Sequence, residues 1–346
     1  MKHGKFPWML GLLLAAAFGG SASMAAEATA PKKPSAAKSE AKKNAPPPKG
    51  VRVERDIQFV PGGDEAQRLD LYLPEQPGDK PRPLLVWIHG GGWRGGNKAG
   101  NPGAGLVGKG YVAASVEYRF SQKALFPAQI QDCQAALRWL RANSKKYGID
   151  PDHIGVWGSS AGGHLSALVG TAGGKKAFAP IGGNAEQSDR VQAVVNFYGP
   201  ADFNTVMQQA EDDQNIKNIF KFNTPADPYS GLIGVPLGSD KQKTDAVSPV
   251  HYVSKDNPPM LILHGTKDAL VPYAQSVELA AALREKGVEV LLQTLPGAGH
   301  GGPVFNKPAV NTMIEKFFDK HIKGAAVKVD LVPEADVTVP DTPAKK

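Results

Sequence analysis

The stretch Ile154-Gly155-Val156-Trp157-Gly158-Ser159-Ser160-Ala161-Gly162-Gly163-His164 reads as a strand, a turn too tight for ordinary residues, and the start of a helix. Ile154 to Trp157 is β-branched and apolar and stops at Gly158. From Ala161 the pattern turns helical, with Leu165, Leu168 and Val169 on one face. Between them, Gly158-Ser159-Ser160-Ala161-Gly162 fits G-x-S-x-G. In that pattern the serine occupies a strained strand-to-helix turn, and the two glycines let the strand and helix backbones approach. Ser160, and not Ser159, has glycine at both required offsets. Five residues alone are equally well explained by a small-residue turn that holds serine by chance. The rest of the chain decides between the two.

At 346 residues the chain has room for one large domain or two small ones. Its N-terminus reads as a signal peptide over residues 1–26. Lys2 and Lys5 precede an apolar run from Trp8 to Phe18, and small residues follow up to a cleavage point within Ser23-Met24-Ala25 or Met24-Ala25-Ala26. The run is short for a bilayer span, so no stable membrane insertion is expected after cleavage. Residues 27–49, rich in Ala, Lys, Pro, Ser and Glu, cannot bury a core and read as a disordered linker. The formal charge of +7 is concentrated here. Lys2 and Lys5 supply two, and six lysines against two glutamates in 27–49 supply four, which leaves +1 from residue 50 onward. The basic balance therefore belongs to the tail and does not argue for nucleic-acid binding. Cys133 is the single cysteine, so no intrachain disulfide and no cysteine metal site can form. It falls in a helical pattern with Ile130, Leu137 and Leu140 and reads as core.

Taken in order, the domain over 50–323 begins with an edge strand, Val51 to Val60, paired across Pro61-Gly62-Gly63 with Leu69 to Leu73. Continuous apolar runs follow at Leu84 to His89, Tyr111 to Glu117, Ile154 to Trp157, Val191 to Phe197, Met260 to His264 and Val288 to Leu295, as in strands buried on both faces. Helical patterns at Pro127 to Ala142, Tyr273 to Lys286 and Asn306 to Ile322 separate the later ones. The order predicts an α/β domain of about eight mostly parallel strands, helices on both faces and an antiparallel start. Asp202 to Val250 is long for a connection and reads as a cap or insertion over the carboxyl edge of the sheet, with a helix at Glu211 to Lys221. Residues 324–346 read as a frayed C-terminal tail, in which Val327 to Val332 is a possible extra strand.

A serine nucleophile needs a histidine to take its proton, a carboxylate to hold that histidine, and donors for the oxyanion. His89-Gly90-Gly91-Gly92-Trp93 follows the third strand, and its glycines let backbone N–H groups turn inward. The donors assigned are the N–H groups of Gly91, Gly92 and Ala161, with His89 holding the loop. A phosphate-binding glycine loop is disfavoured, because no G-x-G-x-x-G or lysine-serine pattern accompanies it. Asp268 sits in the loop that ends the seventh strand. A turn or capping role is its ordinary alternative, and Asp240 and Asp245 are the next candidates for the acid. His300 lies in Pro296-Gly297-Ala298-Gly299-His300-Gly301-Gly302 after the eighth strand, a setting poorly suited to core packing and well suited to a general base. His153, His164, His251, His264 and His321 lack it.

The order Ser160, Asp268, His300, together with His89–Trp93, Val116-Glu117-Tyr118-Arg119, Gly158–His164, His264–Pro272 and Gly297–Gly301, resembles the α/β-hydrolase superfamily. Within it, the chain is similar to the HGGGW esterases of the hormone-sensitive-lipase and BD-FAE-like group. The resemblance covers roughly residues 52 to 322. It implies an α/β-hydrolase fold, Ser160, Asp268 and His300 as catalytic residues, and carboxylic ester hydrolysis through an acyl-enzyme with no metal and no organic cofactor. It further implies a small-molecule or polysaccharide ester substrate, with acetyl or feruloyl groups of plant cell-wall polysaccharide as the nearest analogy; the signal peptide over residues 1–26 separately predicts an exported chain, periplasmic or secreted. Of the aromatics near the site, Trp93 and Tyr198 are assigned to substrate and Tyr118, Phe126 and Phe203 to the core. An Arg119–Asp132 ion pair is a further expectation. The fold alone leaves open an amidase, a peptidase or a polyester hydrolase, and a non-catalytic binding module.

Overall fold

The computed structural model describes Met1 and residues 46–216 and 221–340. The apolar run, the cleavage region and most of the linker lie outside the described residues. Eight strands form one sheet in the order β1-β2-β4-β3-β5-β6-β7-β8: β1 Val51–Gln58, β2 Arg68–Pro74, β3 Arg82–Ile88, β4 Val112–Val116, β5 Ile149–Ser159, β6 Ala193–Phe197, β7 Met260–Gly265 and β8 Val290–Leu295. β1 pairs antiparallel with β2, and β2 with β4. Every later pairing is parallel. The sheet is that of an α/β-hydrolase, with the antiparallel start that the sequence predicts.

The continuous apolar runs form the sheet interior because helices cover both faces. In β6 every residue is buried, and so is every residue of β4. Ala128–Ala142 and Ala161–Ala172 cover one face with Tyr273–Glu285, around a core that includes Val86, Val156, Leu165 and Ile262. Pro308–Ile322 covers the other, where Phe317 and Phe318 pack with Leu85, Trp157 and Val195. Each such side chain, fully buried, contributes roughly 1.5–3 kcal/mol of hydrophobic transfer energy. Cys133 is buried in the first of these cores, and burial pushes its thiol well above the ordinary range. Arg119 grips the fully buried Asp132 with Nε at 2.9 Å from Oδ2 and an Nη at 2.9 Å from Oδ1, and Gln67 donates to the same carboxylate at 2.7 Å. The expected pair therefore exists as a bidentate ion pair.

Two segments differ from the sequence reading. Among the described residues of the insertion, the α-helices are Val206–Asp212, Pro228–Ile233 and Lys241–Val247; residues 213–216 of the expected helix at 211–221 are not helical, and residues 217–220 lie outside the described residues. Asp227 and Asp240 cap the second and third through side-chain oxygens, which starts them where hydrophobic spacing alone does not. The tail does not fray over 324–340. Val332 and Val337 are buried, and Gln293 of β8 exchanges two hydrogen bonds with the Val332 backbone, at 2.7 and 3.2 Å. Val339 N–H donates to Pro296 O at 2.8 Å. A side chain satisfies this backbone, and residues 327–332 form no strand. Among the described residues no helix is long and apolar enough to cross a membrane.

Candidate active site

Ser160 stands at the junction of β5 with the helix Ala161–Ala172, at φ 55° and ψ −122°. A side chain at positive φ costs on the order of 1–3 kcal/mol and persists only where its surroundings enforce it. Those surroundings are visible. Ser160 N–H donates to Phe197 O at 2.9 Å, and Ser160 O accepts from His164 N–H at 2.9 Å. A Cβ on Gly158 would lie 2.5 Å from Ile88 O, and one on Gly162 would collide with Ile88 O and stand 2.6 Å from His89 O. The two glycines of the motif thus let the turn press against the end of β3, where the glycine loop begins.

Three strand ends meet at Ser160. Its hydroxyl donates to His300 Nε2 at 2.9 Å, and His300 Nδ1 donates to Asp268 Oδ2 at 2.7 Å. A carboxylate can only accept, which fixes the ring proton on Nδ1 and leaves Nε2 free to receive one. Asp268 is 1% exposed. Burial alone would raise its carboxyl, but hydrogen bonds from His264 and His300 outweigh it and hold the group far below the usual carboxylate range. Its other oxygen, Oδ1, accepts the N–H groups of Leu270 and Val271 at 2.8 and 3.0 Å. Asp240 and Asp245 belong to the insertion, the first as a helix cap and the second bonded to Lys241 and Asn204.

The glycine loop lies against the serine. A Cβ on Gly90 would stand 3.2 Å from Ser160 Cβ. Gly91 and Gly92 have φ of 122° and 60°, open to glycine and strained for other residues. Among the described residues, the N–H groups of Gly91, Gly92 and Ala161 have no hydrogen-bond acceptor. The loop is braced from behind. His89 Nδ1 donates to Gly90 O at 2.8 Å, its ring stacks on Tyr118 with centroids 4.5 Å apart, and Tyr118 Oη donates to His89 O at 3.0 Å. Ser121 N–H donates to Trp93 O at 2.8 Å.

Trp93 departs from the sequence reading. It is 2% exposed, packed against Phe203 and Tyr229, and its Nε1–H donates to His164 Nδ1 at 3.2 Å. His164 Nε2 donates in turn to Val247 O at 2.7 Å. Burial lowers the His164 imidazole to about 4, against the opposing effect of the Val247 bond, so the ring is neutral and accepts from Trp93. Trp93 therefore ties the glycine loop to the serine helix and the insertion, buried rather than open to the surface. The aromatic after three glycines reads as a pocket residue only because its partner lies 71 positions away.

Tyr198 does line a cavity. Its ring centroid is 4.6 Å from that of His300 and 4.9 Å from that of Phe305. Burial raises its phenol, and a hydrogen bond to Ser159 opposes that. The cavity encloses about 690 Å³ between Trp87, Trp157, Ser159, Tyr198, Gly302 and Phe305, among others. Trp157, 5% exposed, has an indole N–H with no acceptor among the described residues. None of the lining residues comes from the glycine loop or from the 202–250 insertion. Ser160, His300 and Asp268 are not among its lining residues either. Among the described residues no group of three or more His, Cys, Asp or Glu is arranged to hold a metal ion. One contact is missed by the sequence reading: His264, set aside there as a base, reaches Asp268, and the i, i+4 spacing of the two is the signal that points to it.

Residues 69–283 match the family model described as BD-FAE. The chain is 34% identical over 250 residues to a protein named probable carboxylic ester hydrolase LipM, of Mycobacterium tuberculosis, across 71% of this chain and 55% of that one. It spans about half the length of the curated relatives it matches. Among solved structures it is similar to a truncated carbohydrate esterase from gut microbiota, with 31% identity and a TM-score of 0.71 over 79% of this chain and 96% of that one. It is similar also to a bifunctional GH43-CE protein of Bacteroides eggerthii, with 33% identity and a TM-score of 0.68 over 78% of this chain and 35% of that one.

Proposed function

The chain belongs to the BD-FAE family of α/β-hydrolases, and from that premise we propose that it is a serine carboxylic ester hydrolase working through an acyl-enzyme on Ser160. The observation that carries the reading is the unbroken line Ser160 Oγ, His300 Nε2, His300 Nδ1, Asp268 Oδ2, assembled from three separate strand ends beside a loop of unengaged N–H groups.

His300 Nε2 takes the Ser160 proton as Oγ attacks the ester carbonyl carbon. Asp268 keeps the ring in the tautomer that can do so and stabilises the imidazolium that forms. The carbonyl oxygen becomes an oxyanion held by the N–H groups of Gly91, Gly92 and Ala161, each worth about 3–4 kcal/mol in such a site. The tetrahedral adduct collapses, the C–O bond to the alcohol breaks, and His300 returns its proton to the leaving alkoxide. Water then attacks the acyl-Ser160 ester by the same route, releasing the acid and restoring the serine.

The alcohol leaves toward His300, which supplies its proton. The proposed substrates are short-chain or carbohydrate-linked esters, acetyl or feruloyl, in keeping with the name of the carbohydrate esterase the chain resembles. We also propose that the chain is exported, on the strength of its first 26 residues. The substrate reading is tested by initial rates on p-nitrophenyl esters of increasing acyl length beside acetylated xylan and a feruloylated arabinose ester. Turnover of a sugar-linked ester supports it. Turnover of simple esters alone removes the carbohydrate, and turnover of amides without esters removes the esterase.

A further inference from the structure

Asp268 is held by two histidines on one oxygen. Oδ2 accepts from His300 Nδ1 at 2.7 Å and lies 3.2 Å from Nε2 of His264. His264 is the penultimate residue of β7 and is 0% exposed. Its Nε2 also faces Val271 O at 3.1 Å, and its Nδ1 lies 2.6 Å from Ser276 Oγ on the helix Tyr273–Glu285. Both groups facing Nε2 are acceptors only, so Nε2 carries hydrogen in either protonation state of the ring. The arrangement closes on itself: Val271 gives its N–H to Asp268 Oδ1 and its C=O to His264.

We infer that His264 is a positioning residue for this reaction, holding Asp268 Oδ2 in line with His300 and taking a share of the carboxylate charge that His300 would otherwise draw on alone. The inference rests on the assignment of His300 as the base. Its physical content is a competition at one oxygen. Each N–H that Oδ2 accepts weakens what Oδ2 offers the other. Without His264, the carboxylate attracts the His300 imidazolium more strongly, and the base keeps its proton to higher pH. The titratable groups that face His264 come from four elements: Asp268 in the loop after β7, His300 after β8 through that carboxylate, Tyr198 after β6 with ring centroids 6.4 Å apart, and Tyr273 on the following helix at 5.6 Å.

The test is the pH profile of kcat/KM for p-nitrophenyl acetate with wild type, His264→Leu, His264→Gln and Ser276→Ala. Leucine fills the space without a donor, and glutamine returns an N–H near the place of Nε2. His264→Leu is expected to lower kcat roughly 10- to 100-fold at unchanged KM, the loss that one hydrogen bond to a charged group corresponds to. Its acid limb should move up by about half a pH unit or more. His264→Gln should recover both in part. Should His264→Leu fail to fold, Ser276→Ala decides, since it frees the ring while keeping it: a shift of the same sign and smaller size is expected. An unmoved acid limb in a folded His264→Leu, equal impairment of Leu and Gln variants, or an unmoved limb in Ser276→Ala overturns the inference. Ser160→Ala run in parallel separates the two levels. Activity that survives it overturns the serine mechanism itself, whereas a dead Ser160→Ala beside an unmoved His264 profile removes only the positioning role.

Discussion

His300 Nδ1 lies 2.7 Å from Asp268 Oδ2, and the two come from loops 32 residues apart, at the ends of β7 and β8. Adjacent parallel strands bring their carboxyl ends together, so the pairing follows from the β7–β8 ladder. Asp268→Asn tests what the contact does. An amide N–H in place of Oδ2 would face Nδ1 and push the ring proton to Nε2, where it blocks proton transfer from Ser160. The variant should keep the wild-type circular dichroism and lose roughly four orders of magnitude in kcat. An unchanged rate would move the acid to another residue.

The His164 imidazole makes a separate prediction about pH. Its folded-state value is about 4 against an ordinary 6.5. The unfolded chain therefore takes up a proton that the folded chain refuses. The stabilisation is complete above about 6.5 and is lost as pH falls toward 4, and over that window it amounts to about 3 kcal/mol. Asp268, also depressed, adds a loss in the same direction at lower pH. Thermal melts from pH 7 to 4 should show a falling Tm. His164→Asn, which can still accept from Trp93, should flatten the decline. A melt insensitive to pH in the wild type would show that the buried ring is charged or already released.

Glycine at 162 is required by space and not by flexibility. Its φ is ordinary, yet a Cβ there runs into the Ile88 and His89 carbonyls. Gly162→Ala should cost roughly 1–3 kcal/mol and displace the serine turn, with activity falling further than stability explains. Gly108→Ala, at a position where a Cβ meets nothing within 4 Å, is the control and should stay within about 0.5 kcal/mol. Equal behaviour of the two would mean that the turn has room to relax.

The sheet was legible because its strands are runs of apolar residues separated by helical periodicity, and those two periods are local. The serine turn was legible for a related reason: its glycine offsets are a steric requirement written within five residues. Asp268 and His300 stood out because each sits just past a strand end, where neither packing nor pairing accounts for it. What was not legible depends on partners far away in sequence. Trp93 reads as a pocket aromatic until His164 and Val247 supply its hydrogen-bonded chain. The stretch through Val332 reads as a fraying end until Gln293 is seen to pair with its backbone. His264 reads only as a histidine without the glycine setting of a base; in the fold it is fully buried and lies 3.2 Å from the Asp268 Oδ2 that accepts from His300.

Ser160 as the nucleophile stands or falls on the rate of p-nitrophenyl acetate hydrolysis by Ser160→Ala beside wild type. Removal of Oγ leaves the unengaged N–H groups of Gly91, Gly92 and Ala161 in place but nothing to acylate. Steady turnover by wild type is expected, with a loss of at least several orders of magnitude in kcat for the variant and Tm nearly unchanged. Equal hydrolysis by the two proteins would contradict it.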